Sequence, residues 1–109
     1  MSDSKVYYGA AIFNKEDLLE ARKKNKIKLE YYSIKQKKLQ EESQQYGIEV
    51  IKKEYTKDNI KIEKRRIDNI SENAKKVINI IETLKKYKVT PIGLQDVVED
   101  LLKEEKNSQ

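Results

Sequence analysis

Between Ala74 and Leu84 the apolar residues Ala74, Val77, Ile78, Ile81 and Leu84 recur at helical spacing and form one stripe. A second stripe, Leu94, Val97, Val98, Leu101 and Leu102, follows the same spacing. The pattern predicts two amphipathic helices within Ser71–Leu102, joined by a corner at Lys88–Thr90. Ser71 is expected to cap the first helix, because its hydroxyl can accept from an unpaired first-turn amide. Lys85, Lys86 and Lys88 suit the negative pole at its far end. Thr90 is expected to cap the second helix, with Pro91, the chain's one proline, at the first helical position, where its missing N–H costs nothing. Val89 and Leu94 are placed to close a hydrophobic staple across that start. Two such stripes can cover each other only in part, so both are predicted to lie on a sheet.

Ahead of Ser71 the period changes to two. Tyr46–Tyr55 alternates as a strand, with Ile48 and Val50 on one parity and Ile51 and Tyr55 on the other. Thr56–Asn59 carries turn chemistry, and Ile60–Ile70 reads as the next strand, so the two form an antiparallel hairpin. Ile27–Lys37 reads as another strand through Leu29, Tyr31, Tyr32 and Ile34, with a helix through Leu39 as its competitor. Leu39–Gln45 is a mostly polar connection. Val6–Phe13 fits either a strand or a docked arm. Asn14 caps a helix ending near Lys24–Asn25, with Asp17 in its first turn and Phe13 and Leu18 placed as a staple. That helix has a thin apolar face of Leu18, Leu19 and Ala21. We read it as peripheral rather than as an arm for a partner. Glu104–Gln109 is expected to be a frayed polar tail.

The expected fold is therefore α+β. A three-stranded antiparallel sheet is covered on one face by the C-terminal helix pair, with an added N-terminal helix. The divisions are an N-terminal segment and helix at 1–26, the α+β domain at 27–103 and the tail at 104–109.

Composition narrows the chemistry. The chain has 109 residues, 37% hydrophobic and 39% charged, which suits one polar domain with a modest core. There is no histidine and no cysteine. Disulfides, thiol chemistry, the usual zinc sites and the commonest general base near neutral pH are therefore absent. No P-loop, dinucleotide glycine motif or EF-hand spacing occurs, so the expectation is a protein that is not an enzyme and has no cofactor or small-molecule substrate. No apolar run is long enough for a membrane span, and Met1–Phe13 does not make a signal peptide, so the expected location is cytoplasmic. The net charge is +5, carried mostly by lysine, since Arg22, Arg65 and Arg66 are the only arginines. Lysine is a point charge for phosphate, not a planar reader of bases.

YGIEV at Tyr46–Val50, the charged hairpin after it, Ile70–Ser71, and VTPIGLQDVVEDLL at Val89–Leu102 resemble a small, mostly clostridial family, domain of unknown function 6514. The resemblance covers about Leu29 to Leu102, and Gly93 departs from its pattern. It implies lineage and fold, and brings no activity.

Three groups of residues are candidates for function. The first is an outward sheet face. If Ile34, Ile48, Val50, Ile60 and Ile62 point at the helices, then Tyr31, Lys35, Lys37, Lys53, Tyr55, Lys61 and Arg65 point away. Such a face suits single-stranded nucleic acid, because tyrosines stack bases and cations meet phosphates. A solvated antiparallel face, on which lysine and tyrosine are ordinary, is the preferred reading. The second is the acidic side of the last helix, Asp96, Glu99, Asp100 and Glu104. It lacks the outside ligands that a metal site needs and reads as solvated. The third is Tyr7, Tyr8, Ile12 and Phe13, an aromatic and apolar segment suited to a protein partner or a second copy, or to completing the core. The leading reading is a small regulatory interaction module that binds a protein partner or itself through this third group. Nucleic-acid binding by Tyr31, Lys35, Lys53, Tyr55, Lys61 and Arg65 is the alternative.

Overall fold

A computed structural model describes residues 3–36 and 44–107. Lys37 and the stretch from Leu39 to Ser43 lie outside these. The chain runs as strand β1 (Ser4–Ile12), helix α1 (Lys15–Glu20), strands β2 (Lys26–Lys35), β3 (Tyr46–Tyr55) and β4 (Ile60–Ser71), then helices α2 (Ala74–Lys86) and α3 (Leu94–Asn107). The strands form one antiparallel sheet in the order β1-β2-β3-β4. The sheet has four strands where the sequence reading expects three. The Val6–Phe13 stretch supplies the fourth, because β1 pairs with β2 from Ser4↔Lys35 to Ile12↔Lys28. Alternation is hard to read in that stretch because a bulge between Tyr7 and Gly9 breaks its parity.

The helix pair covers one face of the sheet. Leu29, Tyr31, Ile48 and Val50 from the sheet meet Val77, Ile80, Ile81 and Leu84 of α2 and Leu94 and Val98 of α3 in one buried cluster. Tyr8, Ala11 and Phe13 pack against its β1 side. The molecule is only 18 Å through its thinnest direction, the depth of one sheet and one helix layer.

Local signals explain most boundaries. Asn14 caps α1 by accepting from the Asp17 amide at 2.8 Å, while the Asp17 carboxylate accepts from the Asn14 amide. The helix stops at Glu20, short of the expected Lys24, and Arg22 follows in a left-handed conformation with φ 56°. Leu19, 76% exposed, gives it no second apolar anchor. Helix α2 is capped by Asn73, not Ser71. Strand pairing runs through Ser71, whose hydroxyl accepts from the Asn73 amide, and the Asn73 side chain accepts from Lys75 and Lys76. Pro91 sits in a turn ahead of α3, in which Gly93 and Leu94 donate to the carbonyls of Thr90 and Pro91. Regular helix therefore starts at Leu94. At the other end α3 continues to Asn107, through good helix formers where the sequence reading expects a tail.

Gly47 is explained by close approach. A Cβ there would press into the carbonyl oxygen of Ile67 and lie 3.2 Å from the Asp68 Cα. Beside it Asn69, at φ 55°, donates its backbone amide to Gln36 Oε1 at 2.6 Å, and Gln36 Nε2 donates to Asn69 Oδ1 at 3.0 Å.

Candidate binding face

The register fixes which side chains share the face away from the helices. Directly opposed residues of antiparallel strands point the same way. Tyr7, Tyr32, Glu49 and Arg66 make one row across all four strands. Ala10, Glu30, Ile51 and Lys64 make the next, then Ile12, Lys28, Lys53 and Ile62. Lys26, Tyr55 and Ile60 extend the pattern, and Lys5 lies beside Ile34 at the opposite end. Among the described residues no helix packs on this face.

Its centre is a bonded network. Glu30 is only 7% exposed despite facing outward, because its neighbours lean over it. Its carboxylate accepts from the Tyr32 hydroxyl at 3.0 Å and from Lys53 Nζ at 3.2 Å, with Lys28 Nζ at 3.5 Å. Burial alone would raise the Glu30 pKa, but the hydrogen bonds from Lys53 and Tyr32 outweigh it and hold the carboxyl below its ordinary value. Glu49 accepts from Lys5 Nζ at 2.7 Å. The same ammonium lies 4.6 Å from the Tyr32 ring centre, and the Tyr7 ring meets Tyr32 edge-on at 5.6 Å. Burial and the Glu30 carboxylate push the Tyr32 phenol up. Arg66 is held by Asp68 and Asp3.

Around this network the face carries apolar rims. Tyr7 and Ile12 on β1 are 55% and 50% exposed, and Ile60 and Ile62 on β4 are 46% and 58% exposed. Lys5, Lys26, Lys28, Lys53, Lys64 and Arg66 are six cations set against four carboxylates, Glu30, Glu49, Asp68 and Asp3.

The structure divides both sets of candidates. Tyr7 and Ile12 stand on the open face. Tyr8, the extra residue of the bulge, turns to the helix side, where its hydroxyl donates to Glu82 at 2.5 Å. That bond, then burial, raises its pKa. Phe13 packs on the core from the same side.

Of the nucleic-acid candidates, Lys53 and Tyr55 face outward, with Lys26 Nζ 5.7 Å from the Tyr55 ring centre. Tyr31 is fully buried under the helices and donates to the Val89 carbonyl at 2.9 Å, and burial drives its phenol pKa up. Lys35, Lys61 and Arg65 have the helix-side parity, opposite Tyr46, Glu54 and Val50, and Arg65 reaches Gln95 of α3 at 3.4 Å. Two parity errors cause the split. In β2 the inward set is Ile27, Leu29 and Tyr31. Ile34 is buried on the other parity, opposite Gly47. In the hairpin, Thr56 and Asn59 close a four-residue turn that puts Ile60 opposite Tyr55 and Ile62 opposite Lys53, so both isoleucines face outward. Tyr32, Glu30, Glu49, Lys5 and Arg66, the centre of the face, are the residues that the sequence reading misses. The turn length at Thr56–Asn59 is the signal that could have found the β4 part.

Among the described residues there is no group of three or more acidic side chains close enough to hold a metal ion, and no helix long and apolar enough to cross a membrane. The model of a family of unknown function, DUF6514, matches residues 9–104. The chain belongs to this family. The match begins inside β1, so the shared unit includes the end of the first strand from Gly9 and all of α1 as well as the region from Leu29 onward. No curated protein and no solved structure matches the chain.

Proposed function

We propose that the protein is a non-catalytic regulatory module of the cytoplasm that takes an acidic polypeptide on the open face of its sheet. The observation that carries this reading is the pairing of exposed apolar rims, Tyr7 and Ile12 on one side and Ile60 and Ile62 on the other, with an excess of cations between them. Apolar side chains of a partner would cover the rims, and its carboxylates would meet Lys26 and Lys64. A polypeptide fits better than a nucleic acid. The Tyr32 ring is already engaged by Lys5 and Tyr7, and Lys5, Lys53 and Arg66 are already paired with carboxylates. Bases would find little free ring surface to stack on. A carboxylate held ionised, as Glu30 is, also serves poorly as a proton donor near neutral pH.

The test is an NMR titration of isotope-labelled protein with two probes, an alternating Leu/Glu peptide and oligo(dT), at low and physiological salt. The peptide is expected to move the amide signals of Tyr7, Ile12, Ile51 and Ile62 and to leave those of α2 and α3 in place. Silence at low salt, or shifts confined to the helices, overturns the reading. Oligo(dT) moving the same face, with a steep loss on adding salt, transfers it to nucleic acid.

A further inference from the structure

The two edges of the sheet are treated very differently. Edge strand β4 carries six charged residues in twelve, Lys61, Glu63, Lys64, Arg65, Arg66 and Asp68. Charges of this kind, lysines above all, discourage another strand from adding to an exposed edge. Edge strand β1 carries one charge in nine residues, Lys5. Val6, Tyr7 and Ile12, three of its side chains, are 57%, 55% and 50% exposed.

The open hydrogen-bonding groups of β1 can be assigned. The Phe13 amide donates to the Ile27 carbonyl at 3.0 Å, so that residue pair is a bonded one. Bonded and unbonded pairs alternate along an antiparallel ladder. Ile12↔Lys28 and Ala10↔Glu30 are therefore unbonded, and their β1 amides and carbonyls point away from β2. Strand β2 pairs with β3 without interruption, so its own alternation carries through to Tyr32 and Ile34. Their partners Tyr7 and Lys5 face the open edge as well.

These four residues complement themselves. A two-fold axis between Tyr8 and Gly9 lays Tyr7 opposite Ala10 of a second copy and Lys5 opposite Ile12 of that copy. Every outward residue then has an outward partner, opposed side chains lie on the same face, and no lysine meets a lysine. The bulge permits this register, since it places an even number of residues between Tyr7 and Ala10.

We infer that the protein forms a two-fold dimer by antiparallel pairing of β1 with β1, making one eight-stranded sheet. A strand bearing the charges of β4 would not satisfy β1 in this way, and a head-to-tail pairing would not close. The inference stands on the edge and does not need the acidic partner. The dimer leaves the open face uncovered and doubles its extent.

Light scattering and amide exchange on the full chain test it, from micromolar to millimolar protein. The expected result is twice the chain mass, with Ala10 and Ile12 amides protected increasingly as concentration rises. Ala10→Pro removes one outward donor, at an edge position where proline is tolerated. It should give a monomer whose α2 amides stay protected. A wild-type monomer at millimolar concentration, freely exchanging Ala10 and Ile12 amides in a dimer, or a dimer that survives Ala10→Pro with its fold intact would each overturn the pairing. If Ala10→Pro loses α2 protection, Ile12→Lys replaces it, setting a lysine opposite Lys5 of the second copy, with the same two outcomes.

Discussion

The two faces of this sheet are built from the same four strands and do opposite things. On the covered face Leu29, Tyr31, Ile48 and Val50 are fully buried, and the one polar group among them, the Tyr31 hydroxyl, is satisfied by the Val89 carbonyl. On the open face two carboxylates, Glu30 and Glu49, are sheltered along with Ile34, while Tyr7, Ile12, Ile60 and Ile62 stand at the rims in water. Burial of apolar surface holds the fold, so the covered face should govern stability. The open face spends little on stability and keeps exposed apolar groups that the fold does not need. The proposed docking of a partner on the open face rests on this difference.

The largest expected effect lies on the covered face. Val98 is 2% exposed in the middle of the α3 stripe, so Val98→Asp buries an unpaired charge. A cost above about 4 kcal/mol is expected, a large part of the stability of a domain this size, and loss of the cooperative thermal transition would show it. Next comes Gly47→Ala, where the new methyl meets the Ile67 backbone. Its expected cost is about 1–3 kcal/mol, read from denaturant midpoints, with the Ile67–Asp68 backbone as the place that yields.

These two positions also show what the sequence made legible. Val98 belongs to a helical stripe whose period is visible without coordinates, and so do Ile81 and Leu84. Tyr46–Tyr55 and the Thr56–Asn59 turn are equally plain. Asn14 with Asp17 foretells its capping box. The faces of β1 and β4 are not legible in the same way. Parity must be carried through a bulge at Tyr7–Gly9 in one and a four-residue turn in the other, and one residue of error exchanges the faces. Tyr31 illustrates the cost of that error. Counting from an inward Ile34 puts Tyr31 outside, but Ile34 itself has the open-face parity, and the helix corner offers the Tyr31 hydroxyl a carbonyl inside. The network around Glu30 joins residues from separate strands and has no local signature.

A smaller effect is expected from pH. Glu30 has its folded pKa held below the ordinary glutamate value of 4.5. Its contribution to stability is complete above that value and is lost as pH falls through the lower folded pKa. Melting temperature should therefore fall on acidification below about pH 4.5, the ordinary value. Asp17 contributes in the same direction, through Lys88 first and the Asn14 amide second. Glu30→Gln should flatten part of that acid limb. An unchanged acid limb in the variant would remove the network from the account of the open face.

The smallest expected effect on stability carries the most weight. Ile12 and Ile62 flank one row of the open face, with Lys28 and Lys53 between them. The direct measurement pairs the thermal melt of Ile12→Ser/Ile62→Ser with its affinity for the Leu/Glu peptide. The account predicts a stability change within about 1 kcal/mol, as for exposed positions, together with at least about a tenfold loss of affinity. Unchanged affinity, or a loss of stability as large as that of Gly47→Ala, would contradict it.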